Sequence, residues 1–167
     1  MCRRWPARPS PGRSRSRPSG RRSRSGSWRD SSARWATASS AARREAEGHI
    51  VYENERALAF LDINPLTRGH TLVIPKEHYP DLFGIPPEDW QAVARAGQRV
   101  ARAILKGLGA EGLNLLQSNG PLAGQEVFHF HLHLIPRYRG DGLRLGHPSF
   151  YEEKDFPGTA RRIREAL

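Results

Sequence analysis

The residues best equipped for chemistry are three histidines in Val127-Phe128-His129-Phe130-His131-Leu132-His133-Leu134-Ile135-Pro136, where polar and apolar side chains alternate strictly. A repeat of two is the signature of a strand with one buried face. On that reading His129, His131 and His133 share one face, while Phe128, Phe130, Leu132 and Leu134 share the other. Neighbours on one face of a strand stand roughly 6–7 Å apart. An imidazole that is neutral near pH 7 serves as a nucleophile, a proton carrier or a metal ligand. A lone histidine on a strand is usually a satisfied polar residue, but packing does not call for three in alternation. One metal held by all three is disfavoured, because side chains diverge along an extended strand and zinc takes about four ligands.

The remaining elements must position this row. His49–Glu53 and Ala57–Leu61 read as short strands joined by the turn Asn54-Glu55-Arg56, and His70–Pro75 as a third, β-branched strand ended by proline. Asp62-Ile63-Asn64-Pro65-Leu66-Thr67-Arg68-Gly69 lies between them as a loop. Pro86-Pro87-Glu88-Asp89 opens a helix with acids at its positive end. Val93, Ala96, Val100, Ala103, Ile104 and Leu108 form its apolar stripe, and Gly107 and Gly109 stop it. Gly112–Ser118 is a fourth strand. Asn119-Gly120-Pro121-Leu122-Ala123-Gly124-Gln125 is a glycine-rich turn into the histidine strand. Arg137–Gly146 is a polar loop, and Thr159–Leu167 a short terminal helix within a tail covering 141–167. The class is α+β, a mostly antiparallel sheet under one long helix.

Charge divides the chain sharply. It has 167 residues, 27 Lys and Arg, 17 acids and a net charge of +10. Residues 1–48 hold 13 arginines against Asp30, Glu45 and Glu47, whereas 49–167 carry 14 basic and 14 acidic side chains. The excess therefore belongs to the arm, and the neutral remainder gives no global case for nucleic-acid binding. The arm is an Arg/Ser/Pro-rich segment expected to be disordered, since it offers too little apolar surface to offset chain entropy. It fits an RNA-binding arm, a tail without a role or, loosely, a transit peptide. A further reading is wrong-frame translation. Trp35–Ala42 can be back-translated so that a shifted frame spells Met-Gly-Asp-Cys-Val-Phe-Cys-Arg, with the true frame resuming between Ala42 and His49. The single cysteine, Cys2, agrees with a reducing cytoplasm, and no apolar run is long enough to span a membrane.

His129-Phe130-His131-Leu132-His133-Leu134-Ile135 resembles the histidine-triad signature, His-φ-His-φ-His-φ-φ. The resemblance covers most of residues 49–140. It includes Ala59-Phe60-Leu61-Asp62-Ile63-Asn64-Pro65, Gly69-His70-Thr71-Leu72-Val73-Ile74-Pro75-Lys76, Asn119-Gly120 and Gly124-Gln125. It is nearest to bacterial histidine-triad (HIT) proteins, which are similar to the histidine-triad nucleotide-binding proteins and the dinucleotide hydrolases. The likeness implies a five-stranded HIT-like domain over 49–140 and cytoplasmic nucleotide chemistry. That chemistry is cleavage at the α-phosphate of a nucleoside phosphoramidate or dinucleoside polyphosphate, through a nucleotidyl-histidine. The competing expectation is a nucleotide-binding module with little turnover.

Residue by residue, the likeness makes His131 the nucleophile and His133 the donor to the phosphoryl oxygens. His129 orients its neighbours and His70 completes the cluster. Asn119, Gln125 and the Gly124 amides would meet phosphate or leaving group, and Asp62 the ribose hydroxyls. Ile63, Phe60 and Leu72 would line a purine pocket. It implies a homodimer meeting through the long helix and Gly112–Ser118, no membrane partner, and no cofactor. Two departures stand out. Glu126 sits where relatives often carry Ser or Thr. His78 and His129 match the histidines of a structural zinc site whose Cys-x-x-Cys pair is absent, so no tight zinc is expected.

Overall fold

The computed structural model describes residues 49–146 and 151–167. The expectations for residues 1–48, Cys2 and the shifted frame included, lie outside those residues. The elements run β1 (Ile50–Glu53), β2 (Ala57–Leu61), β3 (Thr71–Pro75), α1 (Pro87–Leu108), β4 (Gly112–Leu116), β5 (Leu132–Arg137) and α2 (Phe156–Glu165), with a 3-10 turn at Pro121–Ala123. The strands form one sheet in the order β1-β2-β3-β5-β4, and every pairing is antiparallel. Among the described residues, no helix is long and apolar enough to cross a membrane.

α1 forms where the sequence places it. Pro87 occupies the first turn, where its missing N–H costs nothing, and Glu88 and Asp89 lie at the positive end of the helix dipole. Gly109 closes the helix in the left-handed conformation (φ 69°), its N–H donating to Leu105 O. The stripe Val93, Ala96, Gly97, Val100, Ala103 and Ile104 is buried. Gly97 lets the helix approach β5, since a Cβ there would meet Leu132 Cδ2 at 3.2 Å. Ala59, Leu61, Val73, Leu132, Leu134 and Phe130 complete this core. Each larger side chain so buried contributes about 1.5–3 kcal/mol. The tail joins the same core through Ala160 and Ile163 of α2, whose N-terminus is capped by Asp155 accepting from Gly158 N.

Two strand expectations change. The fourth strand ends at Leu116, not Ser118. The histidine strand begins at Leu132 rather than Val127. Upstream of it, Val127 and Phe128 are 53% and 42% exposed, so Phe128 is not part of the buried face. The alternation is broken because Phe130 N–H donates to Tyr79 O, in the loop after β3, rather than to a neighbouring strand. Phe130 is nevertheless fully buried, edge-on to Trp90.

Candidate active site

Register builds the floor of the site. Phe60 lies opposite Leu72, Leu72 opposite His133, and His133 opposite Leu116. Directly opposed residues project to the same side of a sheet, so these four form a row across β2, β3, β5 and β4. Val73 and Leu132, one residue along, are buried against α1 instead. The row therefore faces away from the helix. Phe60, Leu72 and His133 are half-buried.

Hydrogen bonds assign a different proton to each imidazole. His131 Nδ1 lies 2.6 Å from the carbonyl oxygen of His129. A carbonyl only accepts, so Nδ1 carries the proton and Nε2 keeps its lone pair. Leu66 N–H donates to His70 Nδ1 (3.2 Å), which leaves the His70 proton on Nε2. That nitrogen is 3.0 Å from His133 Nδ1. His70 therefore donates, and His133 must present its own N–H at Nε2. The His131 and His133 rings meet edge-to-face, 4.9 Å apart.

Burial keeps His70 and His133 neutral. Desolvation, then the neighbouring His133, lowers the His70 pKa to about 3. Desolvation, then His131, lowers that of His133 to about 4. Asp62 Oδ2 stands 3.5 Å from His70 Nδ1, but with His70 neutral this is no ion pair. The Asp62 carboxyl is itself raised, chiefly by burial, against the opposing hydrogen bond from Asn64 N–H. Asp62, His70 and His133 bring ligand atoms within 4.8 Å of one another. Asp62 approaches one nitrogen of His70 and His133 the other, so His70 lies between them.

His129 points elsewhere. Its ring is 2% exposed, its Nε2–H donates to Pro75 O (3.1 Å), and its Nδ1 meets Nδ1 of His78 at 3.1 Å. Burial first, then the hydrogen bond to Pro75 in opposition, sets its pKa at about 4. The orienting contact to His131 is thus the His129 backbone carbonyl, and its imidazole belongs to the His78 pair. Two facing Nδ1 atoms make half of a tetrahedral zinc set. Among the described residues, no third histidine, cysteine or carboxylate joins them.

The glycine-rich turn also departs from expectation. Gln125 is buried, its Oε1 accepting from Gly120 N–H and its Nε2 donating to Pro80 O and Val127 O. The Gly124 N–H donates to Pro121 O inside the turn, where Gly124 has a φ of 84° that favours glycine. Asn119 Oδ1 accepts from Leu82 N–H, and its Nδ2 donates to Gln117 Oε1. Gln125 and the Gly124 amide accordingly hold the turn and the Pro80–Leu82 loop together and do not face the histidines. Ile63 is 56% exposed beside Asp62, and Glu126 is exposed.

Two supports were not singled out in the sequence. Thr67 Oγ1 donates to Pro136 O and Tyr138 OH to Arg68 O. These bonds pin the 62–70 loop and so carry Leu66 N–H to His70. Their only trace in the sequence is hydroxyl groups in a loop otherwise free to move.

A lone pair on His131 beside an N–H on His133, over a half-apolar floor, makes a site for displacement at a centre whose oxygen gathers negative charge. Residues 43–140 match the HIT domain family, and the chain belongs to it. It is 46% identical to a zinc-bound histidine triad family protein from Mycobacterium smegmatis, covering 70% of this chain and 81% of that one, with a TM-score of 0.64. A histidine triad nucleotide-binding protein from Sulfolobus tokodaii is 36% identical over 78% of this chain and 90% of its own, with a TM-score of 0.66. The adenylylsulfatase HINT3 of Arabidopsis thaliana is 45% identical over 93 residues, which are 56% of this chain and 47% of that protein.

Proposed function

We propose that the chain is a nucleotide hydrolase or nucleotidyl transferase that acts through His131. The observation that carries this reading is the His131 Nδ1–H bond to the His129 carbonyl, which leaves Nε2 as a free lone pair next to His133. Relatives named as a nucleotide-binding protein and as an adenylylsulfatase support a nucleotide as substrate. In the first step Nε2 attacks the α-phosphorus, and the leaving group departs with the electron pair of its bond and takes up a proton from solvent, which the attacking water of the second step returns. In the second, water attacks the same phosphorus, and the nucleoside monophosphate leaves as the imidazole is restored. His133 Nε2–H donates to the phosphoryl oxygen that gains charge in each step. Asp62 accepts from the ribose hydroxyls, while Phe60, Leu72 and Ile63 bound the base.

Incubation with adenosine 5′-phosphoramidate tests this. The parent should release AMP and, quenched early, carry adenylate on the peptide containing His131. His131→Ala should lose both. AMP release that persists in His131→Ala would end the reading. Binding by the parent without any release would make the chain a nucleotide-binding module.

A further inference from the structure

We propose that the outer face of α1 is a second anion site, which binds a linear polyphosphate chain. All four cations of the helix, Arg95, Arg99, Arg102 and Lys106, recur at i, i+4, i+7 and i+11. That spacing puts them on one stripe along three turns, about 16 Å of axis. Beyond Glu88 and Asp89 in the first turn, the helix contains no acid. The four side chains are exposed and line a cleft of about 420 Å³ whose far wall is Ala166 and Leu167, at the end of α2.

Among the described residues, none of the four has an acidic partner: the ion pairs there use Arg56, Lys76, Arg137, Arg139 and Arg161. Yet acids and bases balance over 49–167, 14 of each. The stripe is therefore a local concentration of cations in a neutral domain, and not a sample of general basicity. Like charges at helical spacing repel one another, a cost that an anion laid along the row removes. Arg99 is already held, its guanidinium 5.2 Å above the Tyr52 ring.

The form of the anion follows from what the stripe lacks. Single-stranded nucleic acid is bound by cations together with exposed aromatic faces on which bases stack. Among the described residues, the aromatic ring beside this row is Tyr52, half-buried and covered by Arg99. Guanidinium forks and an ammonium in line suit consecutive phosphates, and the cleft has the volume of a small-ligand site. The face is also separate from the histidines, because α1 covers the opposite side of the sheet from the Phe60-Leu72-His133 row.

Fluorescence anisotropy on the full chain, with end-labelled inorganic polyphosphate over a salt series, tests the site. Parent, R95Q/R99Q/R102Q/K106Q, R95K/R99K/R102K and His131→Ala are compared, with equal melting temperatures as the folding check. The arm at 1–48 is common to all, so differences report the stripe. The glutamine variant should bind at least tenfold more weakly. Its slope of log K against log salt should be shallower by about 2–3, from roughly 0.7 per neutralised phosphate. The lysine variant and His131→Ala should stay within threefold of the parent. Affinity of the glutamine variant within twofold of the parent overturns the site. Tighter, equally stripe-dependent binding of single-stranded RNA overturns the choice of occupant.

Discussion

His70 touches no substrate in the proposed reaction, yet removing it should slow the chemistry. Its Nε2–H is the group that keeps the His133 proton on Nε2, across a 3.0 Å contact. Without that donor His133 can carry its proton on Nδ1 and turn a lone pair toward the phosphoryl oxygen. A hydrogen bond between neutral groups contributes about 0.5–1.5 kcal/mol. Loss of orientation adds a similar amount, so kcat should fall roughly 10- to 100-fold at nearly constant KM. Since His70 is 2% exposed, His70→Ala also opens a cavity. His70→Phe fills that space without a donor and should be as slow as the alanine variant. His70→Gln offers a side-chain N–H and should recover most of the rate. Single-turnover release of AMP from adenosine 5′-phosphoramidate separates these cases. If His70→Phe runs within twofold of the parent, the tautomer argument fails. If glutamine rescues nothing over phenylalanine, the donor is not what matters.

Two stability predictions follow from the same packing. The pKa values of His70, His129 and His133 lie at about 3, 4 and 4 in the folded chain, below roughly 6.5 for the unfolded chain. The unfolded state thus takes up protons first as pH falls. Stability should be flat above pH 7 and drop between about pH 6.5 and 4, by up to roughly 1.4 kcal/mol per pH unit for each ring. Urea midpoints at pH 7.5, 6 and 5 measure this, and equal midpoints at 7.5 and 5 would contradict it. In Gly107→Ala, helix propensity gains up to about 1 kcal/mol, but the new Cβ would sit 2.5 Å from the Arg162 carbonyl oxygen where α1 and α2 cross. Backbone cannot yield as a side chain does, so overpacking of about 1–3 kcal/mol should win and lower the melting temperature by a few degrees. An increase would show that α2 is free to shift.

Much of this architecture is legible before any coordinates. Helical spacing from Val93 to Ile104 returns the buried stripe of α1, the apolar run Ala57–Leu61 returns β2, and the β-branched run before Pro75 returns β3 almost to the residue. Alternation places Leu132, His133 and Leu134 correctly on their two faces. It fails upstream because alternation records which side chains are apolar and not which backbone partner is available. Phe130 is drawn into the core by Trp90 while its N–H goes to Tyr79. The segment then need not be extended, and His129 turns toward His78. Gln125 misleads in a related way. A polar side chain after a glycine-rich turn suggests a ligand contact, but one that is 3% exposed must satisfy its amide locally, and it does so on Gly120, Pro80 and Val127.

The protonation pattern was beyond the reach of sequence for a more general reason. Four histidines of one residue type become a lone pair, an N–H, a relay and half of a buried pair. In each case a backbone group, or a ring so fixed, makes the choice: the His129 carbonyl for His131, Leu66 N–H for His70 and hence His133, and the Pro75 carbonyl for His129. Residue type is nearly silent about backbone groups, since every non-proline residue carries the same pair. What places Leu66 N–H is a loop pinned by Thr67 and Tyr138 through bonds to Pro136 and Arg68 carbonyls. The chemistry of the site therefore depends as much on where those loops lie as on the triad. A chain could keep all four imidazoles and lose the roles of His70 and His133 by moving Leu66 alone.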